Sequence, residues 1–256
     1  MASSSRADTP QASVWLSRKS VPKRKGDAEG GALDLERIVA ATVRLLDAEG
    51  LAKFSMRRLA AELGVTAMSV YWYVDTKDDL LEIVLDGING TMVVPDVSQE
   101  DGDWREQLRL LAVEYRKMLS SHTWVTQLLG RYLNIGPRSM AYTNACLAVV
   151  RRSGVGEERI TGALSAVFQF VYGFCTAEGL FKERCNAAGL TEDEYFKQLM
   201  SEVSERYDYE ESFKDSVDLM ESQSATMTRE ERREEDFAYA LDTVIAGIEA
   251  MRDRRP

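Results

Sequence analysis

Five residues, Ser69 to Tyr73, carry three hydroxyls and an indole. Thr76 and Lys77 add a fourth hydroxyl and an ammonium group shortly after. Hydroxyl and ammonium groups donate to phosphate oxygens, and apolar side chains suit a thymine methyl. This is chemistry for holding a ligand such as nucleic acid, not for making bonds. Bond-making sets are missing from the chain. It contains no G-x-S-x-G, no G-x-x-x-x-G-K-S/T and no H-E-x-x-H. The one histidine is His122, and the three cysteines, Cys146, Cys175 and Cys185, lack C-x-x-C spacing. Acid–base work would fall on carboxylates and tyrosines. Cys175 and Glu178 sit about one helical turn apart, yet no neighbour activates either. The expectation is a binding protein with no catalytic residue, no cofactor and no metal site, its thiols free in a reducing cytoplasm.

The hydroxyl-rich run needs an element to present it. Leu59, Ala60 and Leu63 share a face of a first short helix, Met56 to Leu63. Gly64 supplies the positive φ that closes a helix C-terminus. Val65 follows as a small apolar plug, and Thr66 is a cap for a second helix, Ala67 to Tyr73. Thr76 with Asp79 begins another helix with a weaker, Asp-bearing capping box. Lys77 there lies beside free amides, where a phosphate is favoured. Together these are the parts of a helix-turn-helix: a small residue at Ala60, a glycine turn at Gly64 and an apolar anchor at Val70. An ordinary helical hairpin would show much of the same pattern.

The order of residues from Leu35 to about Ile88 resembles the DNA-binding domain of the tetracycline-repressor (TetR) family. The matching blocks are R-x-L-A-x-x-L-G-V from Arg57 to Val65, V-Y-W-Y-V from Val70 to Val74, and T-K-x-x-L-L from Thr76 to Leu81. Within the family the stretch is most like the tetracycline repressor and repressors of antibiotic-export genes. The resemblance implies DNA contacts at Arg57, Thr66, Ala67, Met68, Ser69, Tyr71, Tyr73 and Lys77. Arg57 would reach a guanine edge or a phosphate. Ser69, Tyr71 and Lys77 would hold phosphates, and Ala67, Met68 and Tyr73 would read bases. Ala67 and Met68 depart from the tetracycline repressor's polar readers, so its operator sequence does not carry over.

Net charge is −10, but it is unevenly placed. Residues 1–77 hold 12 Lys+Arg against 9 Asp+Glu, and residues 78–256 hold 20 against 33. Position, not total, decides phosphate contact. Residues 1–32 read as a disordered basic arm, with Arg18, Lys19, Lys23, Arg24 and Lys25 as a candidate minor-groove set. A solvated tail is the plainer reading of that cluster. Val14, Trp15 and Leu16 are too apolar for a pure tail and suggest docking on the folded domain. No signal-peptide core and no uninterrupted apolar run of membrane-spanning length is visible, which points to a cytoplasmic protein with no membrane partner.

The remaining elements read as helices throughout, an all-α chain. Asp34 caps a first helix that Gly50 ends, and Lys77 to about Ile88 forms the link out of a DNA-binding domain spanning 33–93. Residues 94–256 are expected to form a ligand-binding and dimerisation domain. Its helices begin at Trp104, Trp124, Arg138, Glu157, Thr191 and Thr228. Residues 207–236, with 11 Asp+Glu and 4 Lys+Arg, read as a long, mobile, acidic connection or a partly frayed helix. Pockets are mostly apolar and aromatic with a few polar anchors. On that ground Tyr115, Trp124, Gln127, Tyr142, Phe168, Gln169, Tyr172 and Glu178 are candidate pocket residues, core packing being the alternative for each. Gly173 and Gly179 would let the long helix approach another closely. With the last helix, Phe237 to Met251, it would form a four-helix homodimer seam. The family resemblance implies the same dimer, a central pocket, a small-molecule effector and a (pseudo)palindromic double-stranded DNA operator. The expected function is a repressor released by an inducer such as an antibiotic or its precursor. The rivals are an architectural or cell-division regulator on the same scaffold, and a helical enzyme with a fused DNA-binding segment.

Overall fold

The computed structural model describes residues 13–16, 33–97, 102–206 and 227–252. Among these, regular structure is helical, in two compact units, 1–150 and 151–256. In the first unit α1 (Leu35–Glu49), a 3-10 turn (Leu51–Lys53), α2 (Met56–Leu63), α3 (Ala67–Tyr71) and α4 (Lys77–Asn89) form the N-terminal head. Then come α5 (Trp104–Ser121), α6 (Val125–Leu129) and α7 (Pro137–Arg151). The second unit holds α8 (Glu157–Ala188), α9 (Glu192–Arg206) and α10 (Arg229–Met251).

Caps set where the head's helices begin. Asp34, Ser55, Thr66 and Thr76 each accept a bond from the backbone N–H three residues on, satisfying amides that lack an intrahelical partner. Gly64 is left-handed at φ 69°, its N–H reaching the Ala61 carbonyl while that of Val65 reaches Ala60. This pair of bonds is a Schellman closure. It turns the chain so that α3 begins only a few residues after α2 ends. The core of the head is Ile38, Ala41, Leu46, Leu59, Val70, Leu80, Leu81 and Val84, all at most 1% exposed. Helix α3 is shorter than its sequence suggests. It stops at Tyr71 because the backbone turns at Trp72 with the Tyr73 N–H on the Val70 carbonyl.

Helix α4 has an apolar face, as its spacing predicts, and also a polar one. Asp78, Glu82, Asp86 and Asn89 recur at helical spacing, and the last three are buried. Asp78 accepts from the Tyr132 hydroxyl at 2.7 Å and from Arg131 at 3.3 Å. Asp86 accepts from the Ser139 N–H at 2.9 Å and hydroxyl at 3.0 Å, and more loosely from the Arg138 N–H. Asn89 donates to Asn134 and Ser139 at 3.0 and 2.7 Å. Gly136 is required here, since a Cβ on it would collide with the Asp86 carboxylate. These bonds tie α4 to residues 131–139. A second tie joins α1 to the corner before α6: Asp47 accepts from the Trp124 indole at 2.7 Å and pairs with His122 Nδ1 at 2.8 Å.

In the second unit α8 and α10 meet through Phe170, Phe174 and Phe237, with ring centroids 5.2–5.9 Å apart. A charged cluster extends that contact to α9, with Arg233 bridging Glu178 at 3.3 Å and Glu192 at 2.6 Å. Arg229 lies over the rings of Phe181 and Phe196. Reciprocal capping boxes open α9, with Thr191 and Glu194, and α10, with Thr228 and Glu231. The second box starts α10 well ahead of Phe237, so the last residues of the expected acidic connection are helical; residues 207–226 lie outside the described residues. Helix α8 is long and apolar enough to cross a membrane by length and composition, and only 22% of its most apolar window is buried within the chain. Polar residues such as Gln169 and Thr176 interrupt that window, so it is not an unbroken apolar run in the sequence.

Candidate nucleic-acid interface

Helix α3 has one residue inside and the rest outside. Val70 is 0% exposed and anchors the helix. Met68 is 69% exposed, Trp72 71% and Tyr71 42%. Large apolar side chains this exposed, on and beside so short a helix, are costly unless something covers them. Thr66 is exposed, and Ala67 and Ser69 are partly buried. The Thr66 and Ser69 hydroxyls lie 2.9 Å apart and share the cap of α3. Trp72 stands exposed next to the residues that the family resemblance implies as contacts. Its place in the aromatic run is visible in the sequence, but its outward direction follows from the turn that ends α3.

The two arginines of α2 are treated differently. Arg58 is held by Glu49 through two bonds, at 2.7 and 3.1 Å, and by Glu62. The Glu49 pairing raises its already high pKa. Arg57 is exposed and makes no bond or ion pair among the described residues. Arg57 therefore remains available for a base edge or phosphate.

Two expected contacts are already occupied. The Lys77 ammonium donates to the Phe54 carbonyl at 2.8 Å and lies over the Phe54 ring. Burial, then Arg131, lowers its pKa. It pins the start of α4 to the turn before α2 and has two donors left. The Tyr73 hydroxyl donates to the Leu33 carbonyl, and the residue lies past the end of α3. Its hydroxyl is thus spent on the chain's entry into α1, which leaves ring contact as its remaining part. Arg18, Lys19, Lys23, Arg24 and Lys25 lie outside the described residues. The Val14–Leu16 segment does dock: Ser13 Oγ and the Val14 N–H both donate to Glu82 of α4, at 2.7 and 3.0 Å.

The expected pocket residues do not form one described site. Trp124 is 2% exposed and spends its indole N–H on Asp47, so it is core. Gln127 and Gln169 are exposed. Glu178 is engaged through Oε1 by Lys182 at 2.7 Å and by Arg233, within the charged cluster. Tyr142 donates to the Leu111 carbonyl at 2.8 Å and stacks on Tyr115 at 6.4 Å. Burial, ahead of the adjacent Cys146, raises its pKa strongly. Phe168 and Tyr172 are half-buried on α8. A cavity of about 260 Å³ opens elsewhere, between the end of α4 and the second half of α5, against Met92, Glu114, Lys117 and His122. None of the expected residues lines it.

Comparison with known proteins bears on both ends of the chain. Residues 38–84 match the family model described as bacterial regulatory proteins, tetR family, and residues 95–252 match that of the tetracyclin repressor-like C-terminal domain. The HTH-type transcriptional repressor DrrR1 of Streptomyces coeruleorubidus is 33% identical over 165 residues, 64% of this chain and 61% of its own length. The chain spans less than two thirds of the length of the curated relatives it matches. Among solved structures, ActR of Streptomyces coelicolor in complex with actinorhodin is similar over 87% of this chain and all of that one, with 27% identity and a TM-score of 0.68. BioQ bound to its natural double-stranded DNA operator is 30% identical, with a TM-score of 0.50 over 62% of this chain and 93% of that one.

Proposed function

The chain belongs to the tetracycline-repressor family, and from that membership we propose that it is a homodimeric repressor released from operator DNA by a small molecule. The family is one of transcriptional regulators and not of enzymes. The observation that carries the reading is α3, a five-residue helix anchored by buried Val70 with Met68, Tyr71 and Trp72 turned to solvent. Arg57 reads or clamps from α2, Ser69 and Tyr71 hold phosphates, and Ala67, Met68 and the Tyr73 ring meet base edges. Thr66 caps the reader, and Lys77 gives its remaining donors to a phosphate. The basic residues Arg18 to Lys25 follow the minor groove. The protein acts in the cytoplasm, beside the DNA it reads.

Two heads can read two half-sites only at a matching spacing, about 34–36 Å for one turn of DNA. The second subunit is met through α8 and α10. Added Cβ atoms at Gly173, Gly179 and Gly247 would find open space within the chain, and Leu180 and Tyr239 are 54% and 78% exposed. The effector is held by the C-terminal domain, with Phe168 and Tyr172 as aromatic contacts. ActR, whose structure holds actinorhodin, supports a small-molecule effector. Displacement of residues 131–139 would reach α4 through its polar face and change the spacing of the heads.

Thermal-shift screening of aromatic antibiotics and their precursors, followed by DNA release with the hits, tests this reading. Coupling is expected at roughly 1–3 kcal/mol, about 5–150-fold in affinity, and it must be reciprocal. A bound compound that leaves DNA affinity unchanged, and whose own affinity DNA leaves unchanged, removes the switch and leaves a DNA-binding regulator without an effector.

A further inference from the structure

We propose that the cavity between the end of α4 and the second half of α5 is a binding site for a small aromatic amine. It goes beyond the effector contacts proposed on α8. It shares no residue with Phe168 or Tyr172, so it can fail while that reading stands.

The walls come from one stretch of the first unit. Glu114, Met118 and Ser121 follow one another at helical spacing on α5, so they share a face. Met92, just past α4, stands across from them, and Lys117 and His122 complete the lining. His122 is held in place: its Nδ1 pairs with Asp47 at 2.8 Å, and its ring lies 5.9 Å from that of Trp124. Met92 and Met118 are 7% and 4% exposed. Their thioethers give a polarisable wall of the kind that packs well on aromatic rings. The volume of about 260 Å³ falls just below the range for drug-sized ligands, about 300–1,000 Å³, and suits one or two rings.

Charge decides the second half of the ligand. The Glu114 side chain is 12% exposed. Its Oε2 accepts from the Val93 N–H at 2.9 Å, which ties the exit of α4 to α5. Its Oε1 has only the Lys117 ammonium, 3.8 Å away on a side chain 70% exposed. Such a surface pairing is weak and readily exchanged. A shielded carboxylate with one oxygen so loosely engaged favours a donor that carries positive charge. An anionic ligand would gain the well-solvated Lys117 and meet the less screened Glu114 as a like charge. A ring between the two methionines with an ammonium on Glu114 satisfies both walls at once.

The test uses the full-length chain with isotope-labelled methionine methyls, the Met92 and Met118 signals being assigned by Met92→Leu and Met118→Leu. It is titrated with phenethylamine, with neutral phenylethanol and with the anion phenylpropionate. Phenethylamine should shift both methyl signals saturably and bind at least about tenfold more tightly than the other two. Glu114→Gln keeps an acceptor for the Val93 N–H and removes the charge. It should weaken phenethylamine by about tenfold and leave phenylethanol unchanged. Lys117→Ala removes the competing ammonium and should strengthen phenethylamine by about twofold to fivefold. Ser121 is exposed, so Ser121→Phe tests the cavity without disturbing the core, and its ring should block phenethylamine. The proposal is overturned if phenethylamine leaves the Met92 and Met118 signals unmoved, or if Ser121→Phe binds it as the parent does. Equal binding of phenylpropionate, an unchanged preference in Glu114→Gln, or weaker phenethylamine binding in Lys117→Ala would each overturn the assignment to an amine.

Discussion

Helices α3 and α4 are neighbours in the chain and are stabilised in opposite ways. Helix α3 bonds its polar side chains to residues three positions away, at Thr66 and Ser69, and turns its large side chains outward. Helix α4 buries Glu82, Asp86 and Asn89 and bonds them to residues 45 to 69 positions away. The first arrangement leaves apolar surface bare until a ligand covers it. The second gives each of these buried groups a partner inside the chain and fixes α4 against its neighbours. A reader has to be open, and the lever that carries it has to be stiff enough to transmit a displacement. On the proposed function, buried polar groups in this protein mark the lever, and exposed apolar groups mark the reader.

The largest expected break in this contrast is Asp86→Ala. It leaves the buried Ser139 N–H without its acceptor and takes one from the Arg138 N–H, while the Ser139 hydroxyl keeps Asn134 at 2.8 Å; this should cost about 2–4 kcal/mol in urea denaturation. Gly136→Ala should destabilise the same site from the other side by forcing Asp86 away. A loss under about 0.5 kcal/mol for Asp86→Ala would mean that the polar face of α4 holds nothing.

Next comes Val70→Ala, the one interior change in α3. Removing two methyl groups from a fully buried side chain should cost about 1.5–2.5 kcal/mol in stability. Because Val70 is the anchor of α3, DNA affinity should fall as well, and on all sequences alike. The outward residues sharpen the contrast. Trp72→Ala and Arg57→Ala should alter stability by less than about 0.5 kcal/mol, yet weaken binding to a selected duplex by about 1–3 kcal/mol. Arg58→Ala should do neither, since its guanidinium is already paired with Glu49 at the surface. Equal losses from Arg57→Ala on selected and random duplexes would make it a phosphate clamp with no part in readout.

The same contrast explains what was legible in the sequence. The caps at Asp34, Thr66 and Thr76 and the turn at Gly64 obey rules that span a few residues, and spacing exposes them; the Ser55 cap went unread. Val70 as anchor follows from the same local pattern. The polar face of α4 was not legible: Asp78, Glu82, Asp86 and Asn89 look like a solvated helix face until Tyr132, Ser139 and Ser13 are folded onto it. The partners of Trp124 and Glu178 were hidden for a related reason. An indole and a carboxylate in apolar stretches suit a pocket, but Asp47 and Arg233, distant in sequence, claim them.

The smallest effect, absent at neutral pH, lies on the alkaline side and separates the α4 face from the rest of the first unit. Tyr132 donates to Asp78, and burial, followed by that bond, raises its pKa above its ordinary value of 10.0. Burial also raises Tyr142, and it pushes the Cys146 thiol up to about 12 from 9.0. The folded chain therefore keeps protons that the unfolded chain releases. With more protons bound in the folded state, stability must fall as pH rises. It is fully present below about pH 9, where both states are protonated, and is lost progressively as the pH climbs toward the raised values. Tyr132→Phe should lower stability at neutral pH by removing the bond to Asp78, and should flatten the alkaline loss. Cys146→Ala should flatten the part that begins near pH 9 and leave the Asp78 contact intact. Urea midpoints measured from about pH 7 to about pH 11 read both. If Tyr132→Phe runs parallel to the parent chain throughout, the hydroxyl on Asp78 is not held as the α4 face requires, and the Asp78 end of the lever is looser than its Asp86 end.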